Sequence, residues 1–182
     1  MKASRAPLLV LTGFMGTGKT AVGRILAARL GRDFIDMDAR IEEEEGMSIS
    51  GIFERRGETY FRALEAECCA RLAQMEDAVI STGGGALVDP ANLVLFGKAL
   101  VVCLDADPAE IFERLRHERN RPLLEGPDPR GRIAELLSAR REAYARIPCH
   151  VDTKAKTVGE VADEIAALLP LLAPGPSPDA GD

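Results

Sequence analysis

Short apolar segments alternate with longer amphipathic stretches along the 182-residue chain. The most apolar segments, residues 8–11 and 99–104, are continuous hydrophobic runs, which are typical of strands buried on both faces of a parallel sheet. The alternation predicts strand–helix–strand crossovers and a three-layer α/β domain. The predicted strands cover residues 8–11, 34–35, 78–81, 99–104 and 150–151, and the predicted helices cover residues 20–30, 50–56, 59–75, 108–116, 130–147 and 158–169.

Glycine and proline mark the ends of several predicted helices. Gly31 is expected to end the first helix as a C-terminal cap, and Gly57 separates two helical segments. Asp107 followed by Pro108 predicts an N-cap with proline in the first helical position.

The composition indicates one folded domain. Hydrophobic residues make up 46% of the chain and charged residues 29%, which is enough to bury a core and to stay in solution. The net charge of −6 argues against a nucleic-acid partner, and the apolar runs are too short to cross a membrane. We expect a single domain over residues 1–170 and a disordered tail over residues 171–182, whose prolines and glycines cannot pack.

The cysteines and histidines do not have the sequence spacing of a zinc site. No CxxC pair occurs, and both histidines lie far along the chain from the adjacent cysteine pair. We therefore expect no zinc, a small core side chain at Cys103, at most one of Cys68 and Cys69 facing inward, and a reducing cytoplasmic location. The residues concerned are Cys68, Cys69, Cys103, Cys149, His117 and His150.

A glycine-rich motif connects the first predicted strand to the first predicted helix. Residues 13–20 read GFMGTGKT and match GxxxxGK[ST], a loop whose backbone N–H groups surround phosphate oxygens at a helix N-terminus. We expect Lys19 to contact the β- and γ-phosphates of ATP or GTP and the Thr20 hydroxyl to ligate Mg²⁺. The predicted nucleotide contacts in this segment are Gly13, Met15, Gly16, Thr17, Gly18, Lys19, Thr20 and Ala21.

Two carboxylates stand where the second apolar run ends. Asp36 and Asp38 are two residues apart, so in a strand both would project from the carboxyl edge of the sheet, where α/β folds bind ligands. One carboxylate can hold magnesium while the other takes or orients a hydroxyl proton. The alternative is a pair of turn acids that cap the residues from Arg40 onward.

Three other segments suggest contacts with a small acceptor. Residues 83–85 are three glycines that would expose backbone N–H groups to substrate oxygens, unless they form a plain flexible turn. Arg62 and Glu65 lie one helical turn apart, so the acid can orient the guanidinium, although surface pairs of this kind contribute little. Residues 126–131 are rich in proline, glycine and charge, which fits a mobile lid or an ordinary surface connection.

Taken in order, the motifs resemble those of the shikimate kinase family. They read GFMGTGKT, DMD, FRALE, STGGG, NRPLL and an arginine four residues before Tyr144, and the resemblance runs from about residue 8 to residue 153. The first motif is shared by many families, whereas the other five in this order are specific. Shikimate kinases transfer the γ-phosphoryl group of ATP, with Mg²⁺, to the 3-hydroxyl of shikimate in the biosynthesis of chorismate and the aromatic amino acids.

The resemblance implies a P-loop kinase fold and an acceptor site. The fold would be three-layered, with a five-stranded parallel sheet, a helical substrate-binding region at about residues 38–65 and a mobile lid at about residues 117–131. Asp38 would be the catalytic base, while Arg62 and Arg140 would bind the shikimate carboxylate. The substrate contacts implied are Asp38, Arg62, Gly83, Gly84, Gly85 and Arg140, with Phe53 and Phe61 as walls or as plain core aromatics.

The resemblance also implies contacts to the nucleotide and the metal. Asp36 would join Thr20 around magnesium, and Arg114 would stack on adenine. Arg121 would move in with the lid, bind the nucleotide and offset charge on the transferred phosphoryl group beside Lys19.

Other P-loop proteins remain as alternatives at this point. A gluconate kinase shares the layout but does not need the combined acceptor motifs, and a nucleotide kinase needs a base pocket that we do not identify. A regulatory nucleotide-binding domain would lack acceptor residues, and a GTPase needs an NKxD motif that the sequence does not contain. We expect ATP and shikimate as partners, with neither nucleic acid nor membrane, and a monomer.

Overall fold

Five parallel strands form one sheet in the part of the chain that the structure describes. The structure is a computed structural model, and it describes residues 7–116, 122–124 and 126–169. The strand order is β2-β3-β1-β4-β5, and all four neighbouring pairs are parallel. The strands are β1 (Leu9–Thr12), β2 (Asp33–Asp36), β3 (Ala78–Ser81), β4 (Leu100–Asp105) and β5 (Cys149–Asp152).

Helices cover both faces of this sheet. One apolar core joins it to α1 and α7, and the other joins it to the helices of the opposite face, including α3 and α6. The predicted three-layer fold with a five-stranded parallel sheet is therefore confirmed. The helices are α1 (Lys19–Leu30), α2 (Met37–Glu45), α3 (Ile49–Leu72), α4 (Pro90–Leu95), α5 (Pro108–Leu115), α6 (Pro129–Tyr144) and α7 (Val158–Leu168), with 3₁₀ turns at Ala86–Val88 and Pro122–Leu124.

The central position of β1 fixes where ligands can bind. β1 lies between β3 and β4, and its four residues are buried. From β1 the chain crosses to β2 on one side, whereas from the neighbouring β3 it crosses to β4 on the other side, and connections that diverge in this way open the crevice that binds ligands in α/β sheets. The glycine-rich motif, residues 83–85 and the end of β2 all lie at this carboxyl edge.

The glycines expected to interrupt helices do so. Gly31 ends α1 with φ 64°, in the left-handed region, and Gly57 has φ 83° and ψ 170° inside α3. The break at Gly57 divides α3 into two helical halves that both face the same cavity. Asp107 is the N-cap of α5 as predicted, but its carboxylate lies 2.6 Å from Lys154 Nζ and makes no capping hydrogen bond within the described residues.

The prediction that both acids of the DMD motif extend from a strand is wrong. β2 ends at Asp36, and α2 begins at the next residue. Asp36 Oδ1 accepts hydrogen bonds from the backbone N–H groups of Asp38 and Ala39, at 3.1 and 3.2 Å, and so caps α2. The capping alternative is correct for Asp36, and Asp38 belongs to the first turn of the helix.

Some predictions fall on residues that the structure does not describe. Arg121, residues 117–120 of the predicted lid and the predicted tail at 171–182 lie outside the described residues. Among the described residues, no helix combines the length and the apolar character needed to cross a membrane.

Candidate active site

The glycine-rich loop is held open by its own backbone and by Lys19. Gly16 and Gly18 have φ values of 79° and 93°, which turn the loop back toward the N-terminus of α1. The Thr17 hydroxyl donates to the carbonyl of Phe14 at 2.8 Å and closes the turn from inside. The buried Lys19 ammonium donates to the carbonyls of residues 13 and 14, both at 2.9 Å, and thus lies at the mouth of the loop.

This loop borders a polar cavity of about 370 Å³. Six of the eight loop residues predicted to contact the nucleotide line the cavity, and Gly13 and Thr17 instead support the loop from behind. Arg114 also lines it, and its Nη1 donates to the carbonyl of Gly16 and to the hydroxyl of Thr153, both at 3.2 Å. The cavity is bordered by Met15, Gly16, Gly18, Lys19, Thr20, Ala21, Asp36, Asp38, Ser81, Thr82, Gly84 and Arg114.

Two oxygen ligands for a hard cation meet in this cavity. The Thr20 hydroxyl donates to Asp36 Oδ2 at 2.7 Å, although the two residues are 16 positions apart in the chain. Hydroxyl and carboxylate oxygens are ligands that Mg²⁺ accepts, usually together with waters and phosphate oxygens. The two residues therefore fit the magnesium role that the sequence suggests.

A second cavity, of about 520 Å³, contains all the predicted acceptor residues. Two cationic side chains, four buried or half-buried carboxyl groups and three glycines face it, together with an apolar wall. Phe53 and Phe61 form part of that wall, with ring centroids 5.0 Å apart. The lining includes Asp36, Asp38, Glu42, Ile49, Ser50, Phe53, Phe61, Arg62, Glu65, Gly83, Gly84, Gly85, Leu123 and Arg140.

Arg140 is held in this cavity by the backbone of the glycine segment. Only 7% of the residue is exposed, and its Nη1 donates to the carbonyl of Gly84 at 3.2 Å. The guanidinium carbon lies 5.5 Å from the ring centroid of Phe14. A buried guanidinium with further N–H groups to donate is suited to a carboxylate.

Tyr144 supports the same carbonyl from the next turn of α6. Its hydroxyl donates to the carbonyl of Gly84 at 2.6 Å, and burial raises the pKa of this phenol to about 12, so that it stays protonated. The spacing from Arg140 to Tyr144 is visible in the sequence, but no role for Tyr144 was predicted from it. The four-residue spacing, which places both side chains on one helix face, was the available signal.

Arg62 is positioned by two acids of its own helix. Its guanidinium donates to Glu65 Oε2 and, at 2.8 and 3.2 Å, to Glu58 Oε1. A Cβ atom at Gly85 would lie 2.4 Å from Arg62 Nη1, so the absence of a side chain at Gly85 gives the guanidinium its place. The expectation that Glu65 orients Arg62 is consistent with this contact.

Glu65 lies between the two arginines and Asp38. Its side chain is 2% exposed, and Oε1 has no hydrogen-bond partner among the described residues. Burial raises the pKa of Glu65 to about 7, and the neighbouring Asp38 carboxylate acts in the same direction, against Arg62 and Arg140. A Cβ at Gly83 would lie 2.6 Å from Asp38 Oδ1 and 2.7 Å from Glu65 Oε1.

The two cavities share one wall. Met15, Thr20, Asp36, Asp38 and Gly84 line both of them. An anion held in the loop would therefore lie next to a molecule in the second cavity, with the Asp38 carboxylate between them. This arrangement can bring a polyphosphate donor and an anionic, hydroxylated acceptor together for phosphoryl transfer.

Part of the acceptor cavity was not foreseen. Glu42, Ile49, Ser50 and Leu123 line it without a predicted role. Glu42 Oε1 accepts from the backbone N–H of Ile49 at 2.8 Å and so joins α2 to the start of α3. These positions depend on the angle between two helices, for which the sequence pattern provides no signal.

Comparison with known proteins connects this geometry to a family. The family model for shikimate kinase matches residues 15–170. The shikimate kinase of Geobacter metallireducens is 48% identical over 162 residues, which cover 88% of this chain and 90% of that protein. The structure of shikimate kinase from Acinetobacter baumannii in complex with shikimate has a TM-score of 0.88 and 34% identity, covering 91% of this chain and 94% of that one. Shikimate kinase from Aquifex aeolicus gives a TM-score of 0.76 and 38% identity, covering 90% and 96%.

Proposed function

The chain belongs to the shikimate kinase family, and we propose that it transfers the γ-phosphoryl group of ATP to the 3-hydroxyl of shikimate, giving shikimate 3-phosphate and ADP. It is thus an ATP-dependent kinase of chorismate and aromatic amino-acid biosynthesis. The observation that carries this function is the wall that the glycine-rich loop shares with a cavity containing Asp38, Arg62 and Arg140.

On the donor side, the loop and its lysine bind the polyphosphate. Backbone N–H groups of residues 15–20 surround the β-phosphate at the N-terminus of α1, and Lys19 leaves the carbonyls it now contacts to bind phosphate oxygens. Thr20 and Asp36 hold Mg²⁺, which neutralises charge on the phosphates when it is bound. Arg114 lies beside Gly16 and Thr153, where it can stack on the adenine ring.

On the acceptor side, two arginines bind the shikimate carboxylate. Arg62 and Arg140 approach from α3 and α6 and face one cavity, so a planar carboxylate can accept hydrogen bonds from both. The backbone of residues 83–85 contacts the ring, and the Phe53 and Phe61 rings cover its apolar edge. In this proposal the ring hydroxyls face Asp38.

The chemical step needs one proton acceptor and a nucleophile in line with the phosphoryl group. Asp38 accepts the proton of the 3-hydroxyl, whose oxygen forms a bond to the γ-phosphorus while the bond from that phosphorus to the β–γ bridging oxygen breaks. ADP leaves with the electrons of that bond. Positioning of the two substrates provides most of the acceleration.

Arg121 completes the proposed set of charges. It lies outside the described residues, in the segment proposed as a lid at about 117–131. In this proposal it approaches the phosphates when the lid closes, offsets charge on the transferred group and limits hydrolysis of ATP.

The proposed organisation is simple. One kinase domain is proposed over residues 1–170, with its substrate-binding region at about 38–65, whereas the tail predicted at 171–182 lies outside the described residues. A monomeric, cytoplasmic enzyme is proposed because the candidate site is assembled from one chain and the cysteines among the described residues are free thiols.

An assay of acceptor choice tests this function. ADP release is measured with ATP and Mg²⁺ and with shikimate, quinate, gluconate or a nucleoside monophosphate as the acceptor. We expect turnover with shikimate to exceed that with each other acceptor by a large factor, with one shikimate 3-phosphate formed per ADP. Equal or faster turnover with gluconate or a nucleotide would contradict the proposed substrate.

A further inference from the structure

A sulfur, an oxygen and a nitrogen ligand meet where the second half of β4 pairs with β5. The parallel register pairs Cys103 with His150, so these neighbours project from the same face of the sheet. Asp105 lies two residues beyond Cys103 on β4 and therefore also projects from that face. The spacing of cysteines and histidines along the chain gave no indication of this group, because 46 residues separate Cys103 from His150.

The ligand atoms of the three residues lie close enough together for small movements to bring them around one metal ion. Cys103 Sγ lies 3.6 Å from Asp105 Oδ1, and His150 Nδ1 lies 2.8 Å from Asp105 Oδ2. One ligand atom from each residue lies within 4.8 Å of the other two. Ligands of a tetrahedral zinc ion, with bonds of about 2.0–2.3 Å, are separated by roughly 3.3–3.7 Å, so small side-chain rotations suffice.

The histidine already has the outer contact that zinc-binding imidazoles usually have. His150 Nε2 lies 3.2 Å from the carbonyl of Tyr144, the last residue of α6. A carbonyl only accepts, so Nε2 carries a proton and donates it, which leaves Nδ1 as the nitrogen that faces Asp105 and Cys103. Metal-ligating histidines commonly donate their second ring N–H to a backbone carbonyl, which fixes the ring.

The backbone at Asp105 is fixed as well. The Asp105 carbonyl accepts from the N–H and from the hydroxyl of Thr153, both at 2.9 Å. Cys103 is fully buried, whereas the side chains of Asp105 and His150 are 48% and 36% exposed. An ion can therefore reach the group from solvent and keep a water as an additional ligand.

We propose that Cys103, Asp105 and His150 form a binding site for a transition-metal ion of the zinc class. Thiolate and imidazole ligands favour Zn²⁺ over the hard Mg²⁺ that Thr20 and Asp36 fit. On binding, the Cys103 sulfur exchanges its proton for the metal, and the proton leaves to solvent. None of the three residues lines the donor or the acceptor cavity, although the Asp105 carbonyl is joined through the Thr153 hydroxyl to Arg114, which lines the donor cavity.

The competing arrangement is a proton in place of the metal. His150 Nδ1 would then donate to Asp105 Oδ2, and the Cys103 thiol would donate to Asp105 Oδ1. Because the protonated and the metal-bound arrangements bring the same three side chains together, a direct measurement of metal binding is needed to distinguish them.

The experiment titrates the full chain, freed of metal by a chelator, with Zn²⁺ in competition with a chromophoric chelator. We expect one tightly bound zinc per chain in the wild type. Cys103→Ala and His150→Gln should each weaken binding at least about tenfold. Cys149→Ser is the matched control, because Cys149 precedes His150 on β5 but packs into the core of the opposite face, and it should bind as the wild type does.

A second readout identifies the sulfur ligand. Co²⁺ added in place of Zn²⁺ should produce a thiolate-to-cobalt charge-transfer absorption in the wild type and in Cys149→Ser, and none in Cys103→Ala. Circular dichroism verifies that each variant is folded. If Cys103→Ala is unstable, the zinc titration of His150→Gln still tests the site, because His150 lies at an exposed position of an edge strand. Absence of stoichiometric zinc binding by the wild type, or wild-type affinity in both ligand variants, overturns the proposal.

Discussion

The neighbours of Glu65 act on its protonation in opposite directions. Burial and the Asp38 carboxylate favour its neutral form, while Arg62 and Arg140 favour its charged form, and the balance raises the pKa of Glu65 to about 7. Near pH 7 Glu65 is therefore neutral in some molecules and charged in others, so the net charge of the acceptor cavity changes with pH.

The raised pKa of Glu65 predicts a pH-dependent contribution to stability. Because the folded-state pKa lies above the ordinary value of 4.5, folding favours the protonated group, and this contribution is present below about pH 4.5 and is lost as the pH rises through 7. The Glu65→Gln variant has no titrating carboxyl at this position, so it does not lose this contribution to stability as the pH rises. From pH 5 to pH 8 we expect the free energy of unfolding of the Gln variant to gain about 1–3 kcal/mol relative to the wild type.

Urea unfolding of both proteins at several pH values measures this difference. Other titrating groups are common to the two proteins and cancel in the comparison. A difference between the two free energies of unfolding that stays constant from pH 5 to pH 8 would show that Glu65 has no raised pKa.

Asp38 is predicted to act on the chemical step. Asp38→Asn removes the proton acceptor and keeps the shape, so we expect kcat to fall by about 10²–10⁴ while the KM for ATP changes little. Steady-state kinetics with ATP and shikimate measure both constants. Asp33→Asn, at the exposed start of β2, the strand that precedes α2, is the control and should keep the wild-type kcat. A normal kcat in the Asp38 variant would exclude it as the base.

The sequence was sufficient to predict which residues form the candidate site, but only some of the contacts that position them. The motifs around Asp38, Arg62 and Arg140 contain the residue types that bind hydroxyls and carboxylates. The hydrogen bond from Tyr144 to the carbonyl of Gly84 joins residues 60 positions apart. It depends on how α6 packs on the glycine segment, which local pattern does not determine.

At the scale of elements, β1, the glycine-rich loop and α1 act as one unit. Gly13 leaves β1 with φ 124°, and a Cβ there would lie 2.3 Å from the carbonyl oxygen of Leu104 on the neighbouring strand. This close approach sets the direction in which the loop leaves the sheet.

Gly13→Ala is therefore expected to damage both stability and nucleotide binding. Overlap with backbone atoms and an unfavourable φ together should lower the free energy of unfolding by about 3 kcal/mol or more. Gly46→Ala is the matched control: its φ is 65°, but the added Cβ meets nothing within 4 Å, so a loss of about 1 kcal/mol is expected. Thermal unfolding of the two variants compares them, and equal losses would refute the packing argument.

Periodicity missed the start of α2, although the glutamates at 42–45 were expected on a solvated helix face, and it missed α4 entirely. α2 contains the run of four glutamates and has few apolar positions, with Met37 and Ile41 buried, so its amphipathic pattern is weak. α4 is only six residues long, which is too short for a periodic pattern to be seen. The missed start of α2 is also why Asp36 and Asp38 were assigned to the wrong geometry.

At the scale of the whole molecule, the alternation of strands and helices was sufficient to predict three layers. The five apolar runs predicted the five strands, whereas the order β2-β3-β1-β4-β5 could not be read from periodicity, because it depends on which strands pair across the sheet. The same pairing brings His150 beside Cys103, which explains why that group was invisible in the sequence.

The fold gathers the donor and acceptor sites at one edge. Loops after β1, β2 and β3 supply the glycine-rich motif, the two aspartates and the glycine segment, while α3 and α6 contribute the arginines. The central claim is that this acceptor cavity binds shikimate through its carboxylate, next to the nucleotide.

Calorimetric titration of shikimate into the wild type and into Arg140→Ala tests that claim most directly, since it requires no turnover. Arg141→Ala, an exposed arginine on the same helix, is the control. Loss of one buried charge-assisted contact should raise the Kd for shikimate at least about tenfold in Arg140→Ala and leave it unchanged in Arg141→Ala. An unchanged Kd in Arg140→Ala would contradict the account, because the acid would then bind elsewhere.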